Sequence, residues 1–277
     1  MALSALGVAF AIVRDSQLLI AVDANGRRIG MAPLAAIFHV KALAPSGTGL
    51  GVLILDPIGG TVSEVQFSKG VGQRTRQWQV PDAAVSTCAI KDQLFVFAPG
   101  ERAPVIRFNA QATVPVRMGL PLGSFDPRTQ AVLARGWILC DPKSDLVLTV
   151  SAILGTVMAY RSAGPSAWLV QVPGFRAAEV TASGGSVRIA ARPPGVVDRV
   201  VGATLLGPSV VAVQVVTAGS GILDVRPVTH FFKASNGDAL GSQKGLPYLV
   251  AAGGRAVIGL PVGGSPTGYE YSIRHLP

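Results

Sequence analysis

The sequence predicts an all-β fold made of repeated small sheets, and three observations point there: a strand–turn–strand unit that recurs along the chain, a composition rich in turn formers, and almost no helical periodicity. The unit is two short, β-branched apolar runs joined by a Gly-, Asn- or Pro-rich turn. It first reads as Leu18–Asp23, Ala24-Asn25-Gly26 and Arg27–Met31, then as Leu50–Asp56, Pro57–Gly60 and Thr61–Phe67. Further copies are Gln93–Phe97 with Pro104–Asn109, Leu146–Ala152 with Thr156–Arg161, Val210–Thr217 with Ile222–Phe232, and Ala256–Pro261 with Thr267–Ile273. A small sheet hides its apolar face only by stacking on another, so a serial array of strand pairs implies a repetitive architecture. Of the 277 residues, 49% are hydrophobic and 14% charged, and 33 Gly and 20 Pro are spread along the chain. That distribution supplies many tight turns and leaves no low-complexity linker, which predicts one domain over 1–277.

Taken in order, Met1–Val13 is apolar but has no basic start and no small-residue cleavage site before Arg14-Asp15, so it reads as a first strand and not as a signal peptide. Val52–Leu55, Leu146–Val150 and Val210–Val213 are nearly continuous apolar runs, as expected of strands covered on both faces. Thr61–Phe67, Val105–Phe108 and Tyr269–Ile273 alternate apolar and polar residues and read as outer or edge strands. Val200–Leu223 carries no charge over 24 residues, long enough for a membrane span, but Gly207-Pro208, Gln214 and its many valines favour two strands about a turn. The turns near Asn25, Ile58, Gly100, Leu154, Gly219 and Gly263 recur about every 48 residues, the scale of one four-stranded blade. The interval from Leu154 to Gly219 is the longest, and turns at Gly164-Pro165, Ser183-Gly184-Gly185 and Gly207-Pro208 predict extra strands within it. Closure is expected to join Val8–Val13 to Tyr269–Ile273, which removes exposed sheet edges.

Two phrases carry a family resemblance: Leu19-Ile20-Ala21-Val22-Asp23-Ala24-Asn25-Gly26-Arg27-Arg28-Ile29-Gly30, and Gln93-Leu94-Phe95-Val96-Phe97 followed by Pro104-Val105-Ile106-Arg107-Phe108-Asn109. In them a strand ends in Asp, turns at Asn-Gly and runs back to Gly. The chain thus resembles a degenerate six-bladed β-propeller of the kind found in bacterial proteins. No regular Trp-Asp pair or kelch double glycine accompanies it. The short length keeps open a five-bladed ring, a missing strand or an incomplete first blade, and the strand spacing also permits a pair of β-sandwiches.

The chemistry-bearing residues are few. Lys and Arg number 24 against 15 Asp and Glu, a formal charge of +9, which implies diffuse attraction to polyanions without sequence-specific nucleic-acid binding. The densest basic groups, Arg27-Arg28 and Arg74 with Arg76, read as solvated turn residues and as basic surface candidates. Cys88 and Cys140 lie in apolar stretches and read as buried thiols, with a single bridge between neighbouring sheets as the alternative. His39, His230 and His275 are too far apart for a local metal motif and have apolar neighbours, so no metal or cofactor is expected. Neither a G-x-S-x-G elbow nor a phosphate loop occurs.

Asp23, Asp56 and Asp141 share one trait: each follows an apolar strand. Turn capping accounts for such carboxylates, and the resemblance implies a second role at the mouth of a central channel. The favoured function is a non-catalytic binding or scaffold module presenting loops to a protein or small ligand. The alternative is a propeller-type hydrolase or lyase whose polar residues converge on the channel from several blades. A channel holding two or more carboxylates or histidines favours the enzyme; one plugged by apolar side chains favours binding.

Overall fold

Four of the six recurring strand pairs of the sequence are the middle hairpins of short antiparallel meanders, and the first and last pairs end theirs. The computed structural model describes residues 1–13, 16–34, 37, 39–47, 49–99, 102–109, 114–119, 126–133, 135–183, 186–190, 195–207, 209–219, 222–253, 256–260 and 272–275. The first meander is β1 (Ala2–Leu3), β2 (Ala9–Val13), β3 (Leu18–Val22) and β4 (Arg28–Pro33), so Met1–Val13 forms two strands instead of the single one expected. The second is β5 (Ala42–Pro45), β6 (Gly51–Asp56), β7 (Thr61–Ser68) and β8 (Val71–Gln79), tied to the first by one parallel bridge between Met31 and Val71. Next come β9 (Ser86–Ile90), β10 (Gln93–Phe97), β11 (Val105–Phe108) and β12 (Val116–Met118).

After the short helix α1 (Pro127–Leu133) the chain forms β13 (Gly136–Asp141), β14 (Leu146–Ser151), β15 (Thr156–Arg161) and β16 (Ser166–Gln171). A separate hairpin, β17 (Glu179–Ser183) with β18 (Ser186–Ala190), fills the long interval where extra strands were expected. The chain continues through β19 (Val196–Leu206), β20 (Val210–Gly219), β21 (Ile222–Lys233) and β22 (Ala239–Lys244), then β23 (Tyr248–Gly253), β24 (Ala256–Leu260) and β25 (Ser272–His275). No helix among the described residues is long and apolar enough to cross a membrane.

The first strand of each meander lies innermost. β1 lies against β5, β5 against β9, β9 against β13, β13 against β19, β19 against β23, and β23 returns to β1. A ring of small sheets about an axis is a β-propeller, not a pair of sandwiches. Closure runs through β1, β23 and β24. Of the closing segment expected at Tyr269–Ile273, residues 269–271 lie outside those described.

Side-chain period explains how the ring holds. Successive residues of a strand point to opposite faces, so one strand supplies two interfaces. In β6, Val52 and Ile54 pack with Phe10 and Leu19 of the first meander, while Leu53 and Leu55 pack with Leu94 and Val96 of the third. In β14, Leu146, Leu148 and Val150 join Val211, Val213 and Phe232, while Val147 joins Phe95 and Phe97. Leu3 and Ala9 meet Ala251 and Ile258 at the closure. Each fully buried Val, Leu or Phe contributes about 1.5–3 kcal/mol.

Two expectations are corrected. Thr61–Phe67 and Val105–Phe108 form β7 and β11, the third strands of their meanders, and are largely buried; β8, β16 and β22 are exposed outer strands. The alternation in β7 misled because its polar residues Ser63 and Glu64 are buried too. Cys88 and Cys140 are not free thiols: they form a disulfide between β9 and β13, neighbouring inner strands whose Cα atoms stand 5.6 Å apart there.

Two outcomes follow for stability. The bond closes a loop of 52 residues, so Cys88→Ser or Cys140→Ser lowers stability by about 4 kcal/mol on the loop-entropy relation, measured by denaturant unfolding against the oxidised wild type. At the closure, a Cβ on Gly253 would lie 2.3 Å from the Ser4 carbonyl oxygen and 2.5 Å from that of Leu3. Gly253→Ala therefore costs about 1–3 kcal/mol and lowers the melting temperature cooperatively; an unchanged melt means that β1 and β23 do not meet.

Candidate functional site

The inner strands surround an axial cavity of about 190 Å³. Each contributes to its wall: Leu3 from β1, Leu43 from β5, Cys88 from β9, Cys140 from β13, Leu205 from β19 and Val250 from β23. The polar side chains of the wall are hydroxyls, Ser86, Thr87 and Thr204. Thr87 donates to the Phe95 carbonyl at 3.0 Å, and Ser86 Oγ accepts from the Ile138 amide at 3.4 Å. The disulfide and the Ser86 bond both clamp β9 to β13, so one side of the wall is cross-linked.

Met1 also borders this space, and burial lowers the pKa of its ammonium group; the buried carboxylates sit away from it. Glu64 of β7 is buried, and its carboxylate accepts from Arg76 Nε at 2.6 Å, from Gln66 Nε2 at 2.9 Å and from the Ser46 hydroxyl. Burial alone would raise its pKa, but the hydrogen bonds from Arg76, Ser46 and Gln66, with the Arg76 charge, outweigh it and hold the carboxyl below its ordinary value. Arg76 also lies over the Trp78 ring at 5.2 Å.

A second cluster joins the segment after β16 to β19 and β20. Asp198 is buried and accepts from Arg176 N at 2.8 Å, Nε at 3.0 Å and Nη2 at 2.8 Å, and from Thr217 Oγ1 at 2.6 Å. Here too burial pushes the pKa up, and the bonds from Arg176 and Thr217 bring it below the usual range. Carboxylates held by so many donors are stabilised as anions and are poor proton acceptors. Gln214 of β20, fully buried, donates to the Thr229 hydroxyl at 3.1 Å and the Pro247 carbonyl at 2.9 Å and accepts from the Leu249 amide at 2.6 Å, tying β20 to β23.

The sequence candidates fall as follows. Asp23 closes the β3–β4 turn, accepting from the amides of Asn25 and Arg27 at 2.9 Å each. Asp56 is buried at the end of β6 and accepts from the Gly59 amide at 2.9 Å. Asp141 ends the inner strand β13, beside Cys140; its Oδ1 accepts from the Lys143 amide at 3.1 Å, and its buried Oδ2 has no hydrogen-bond partner. The structure does not bring the three together, and none belongs to the cavity wall. Arg74 and Arg76 stand on strand β8 and not in a turn; Arg74 is exposed, whereas Arg76 is engaged by Glu64.

His39 lines an open surface cleft with Lys41 and Asp82. Half-buried His230 stands in β21; burial lowers its pKa and the Asp198 charge opposes that. The side chain of His275 lies outside the described residues. Among those residues no group of three or more His, Cys, Asp and Glu is placed to hold a metal ion. Glu64, Asp198, Thr204 and Gln214 escaped the sequence reading. Only Glu64 left a signal: it lies opposite Arg76 in the register that pairs β7 with β8.

No protein-family model and no curated protein matches the chain. Among solved structures it is similar to a structural-genomics protein of unknown function from Bacteroides thetaiotaomicron, at 12% identity over 99% of this chain and 69% of that one, TM-score 0.57. It is similar to Kuenenia stuttgartiensis hydrazine synthase at 12% identity, over 93% of this chain and 71% of that one, TM-score 0.56. It is also similar to the beta-propeller domain of Myceliophteria thermophila Cps50 (Swd1), at 10% identity over 98% and 97% of the two chains, TM-score 0.48. At such identities the likeness is one of fold alone.

The carboxylate clusters set a pH dependence. Glu64 and Asp198 have folded-state pKa values below their ordinary 4.5 and 3.8, so their stabilisation is complete above those values and fades as pH falls through the depressed ones. Glu64→Gln lowers stability at neutral pH by about 1–2 kcal/mol, discounted for the part-exposed Arg76, and the gap to wild type closes in acid. Urea unfolding of both proteins from pH 7 down to pH 3 checks this, and a pH-independent gap contradicts it.

Proposed function

We propose that residues 1–277 form a single six-bladed β-propeller domain acting as a non-catalytic binding or scaffold module, with one elaborated rim presented to a partner. The reading rests on where the chain departs from its repeated meander. Helix α1 and the β17–β18 hairpin are inserted before two successive meanders and pack against each other. The start of β19 continues the same rim: the Val200 amide donates to the Ala152 carbonyl, the Ala152 amide to the Arg135 carbonyl that follows α1, and the Asp198 amide to the Arg176 carbonyl. Insertions on a rigid scaffold are where recognition is built.

Three further observations support the reading. Four-stranded meanders whose first strands close a ring fit six blades, with β23, β24 and β25 as the last. The axial cavity is open and not plugged, but no carboxylate or histidine among the described residues lines it, which supports binding over the hydrolase or lyase alternative. A disulfide between inner strands fits folding in an oxidising compartment.

Replacing residues 179–190 by a short Gly/Ser link tests the reading. The expected result is an unchanged melting temperature with loss of a partner that the intact protein binds in quantitative pull-down and identification by mass spectrometry. Turnover in a panel of hydrolase and lyase substrates by the purified wild type, or a partner bound equally by both forms, overturns it.

A further inference from the structure

We propose that the elaborated rim docks an extended, acidic segment of a partner protein, laid as a third strand along the β17–β18 hairpin. The proposal rests on the rim reading above and names the chemistry of the partner. Sheet pairing is the first observation. β17 and β18 pair only with each other among the described residues, whereas every other strand belongs to a sheet of three or more. A lone two-stranded hairpin is marginal in water, and its outer edges carry unpaired N–H and C=O groups that accept a further strand.

Charge is the second. Arg135 follows α1, Arg176 precedes β17, Arg188 stands in β18 and Arg199 in β19, and all four are exposed. Backbone bonds gather three of them. The Asp198 amide donates to the Arg176 carbonyl at 3.0 Å, and the Val200 amide to the Ala152 carbonyl at 2.9 Å, whose own amide donates to the Arg135 carbonyl at 2.6 Å. Arg199 thus stands between the two connections. Arg176 is bound to Asp198, but the side chains of Arg135, Arg188 and Arg199 make no hydrogen bond or ion pair among the described residues. The exposed carboxylates beside them are Glu179 and Asp126, and Asp126 is engaged by Thr129 and the Arg128 amide at the start of α1. Guanidinium groups, each a planar fork of donors, match the carboxylates of an acidic segment.

Register sets the third. Thr181 lies opposite Arg188 and both are exposed, whereas Val180 lies opposite Ile189 and both are half-buried. An added strand continues these two faces, so its residues alternate: carboxylates about 7 Å apart on the Arg188 face, β-branched apolar groups on the Val180–Ile189 face. α1, β17 and β18 contain no aromatic residue on which bases could stack, which favours a peptide over a nucleic acid.

Calorimetric titration with a blocked synthetic peptide alternating Glu and Val, beside the same peptide with Lys for Glu, tests the proposal. The Glu peptide is expected to bind one to one with a dissociation constant on the order of ten micromolar at low salt, weakening as salt rises, and the Lys peptide not to bind. Arg188→Gln weakens the Glu peptide about tenfold, and Glu179→Gln, which removes a like charge from the same face, tightens it. Both positions are exposed, so the melting temperature is preserved in each variant. N-methylation of all the valines in one peptide and of all the glutamates in another abolishes binding of one of the two, because only alternate N–H groups of an added strand face the hairpin. Absence of saturable binding by the Glu peptide, binding untouched by Arg188→Gln, or an equally charged single-stranded oligonucleotide bound as tightly overturns the acidic segment. Equal binding of both N-methylated peptides overturns strand addition. If the Glu peptide fails while replacement of residues 179–190 still abolishes the native partner, this proposal falls and the rim reading stands.

Discussion

Everything in this molecule depends on covering both faces of small, two-faced sheets. A strand such as β6, buried at all six positions, has apolar side chains on its two sides and no water-tolerant face. Covering one side with a neighbour leaves the other bare, so the stack ends only when the last sheet meets the first. Five apolar clusters form five of the six interfaces: the first three meanders meet in chain order, the third and fourth meet around Phe95 and Tyr160, the fourth and fifth around Leu148 and Val213, and the last and first around Ala251 and Leu3, while Gln214 ties the fifth to the sixth by hydrogen bonds. The core of this protein is a circular series of sandwiched layers.

Crowding at the axis follows from closure. Inner strands converge, and close approach selects small residues there: Ala44, Ala89, Ala203, Ala251 and Ala252 all border the axial space, and Gly253 passes β1 with no room for a Cβ. The disulfide acts at the same radius. It joins two strands whose sequence separation of 52 residues spans a whole meander, so it fixes one sheet within the ring more than it supports any single strand.

Much of the fold was legible because its signal is local. The pairs Leu146–Ala152 with Thr156–Arg161 and Gln93–Phe97 with Pro104–Asn109 announce hairpins through β-branched runs and turn residues, and they lie in β14–β15 and β10–β11. Depth was legible for the continuous apolar runs Val52–Leu55 and Leu146–Val150, which are buried throughout, and failed for the alternating strands. Alternation in β7 signalled an edge, yet Ser63 and Glu64 are both buried, and Arg76 of β8 and the Ser46 hydroxyl satisfy the carboxylate. Partners of that kind come from other strands, and no single strand's pattern reveals them. The site was less legible still: Asp23 and Asp56 act through amides within four residues, which turn chemistry foresees, whereas the pairing of Cys88 with Cys140 and the place of Thr204 exist only once the ring is closed.

Polar groups in this ring go where backbone pairing is interrupted. The ladder between β23 and β24 shifts register between Leu249 and Ala251, and the Gln214 side chain of β20 bonds the Pro247 carbonyl and the Leu249 amide beside that irregularity. The ladder between β7 and β8 likewise shifts between Glu64 and Val65, and there Thr75 Oγ1 reaches Glu64 Oε2 at 3.3 Å while Arg76 closes on the same oxygen. A bulge frees backbone groups and re-aims side chains: Gln214 satisfies backbone groups of β23 directly, whereas the Glu64 carboxylate gathers side-chain donors at its seam. At the axis the inner strands converge, and apolar side chains with the hydroxyls of Ser86, Thr87 and Thr204 line the space between them. The buried carboxylates Glu64 and Asp198 thus stand at the seams between strands, where their donors fasten β7 to β8 and β19 to β20, and not at the axis.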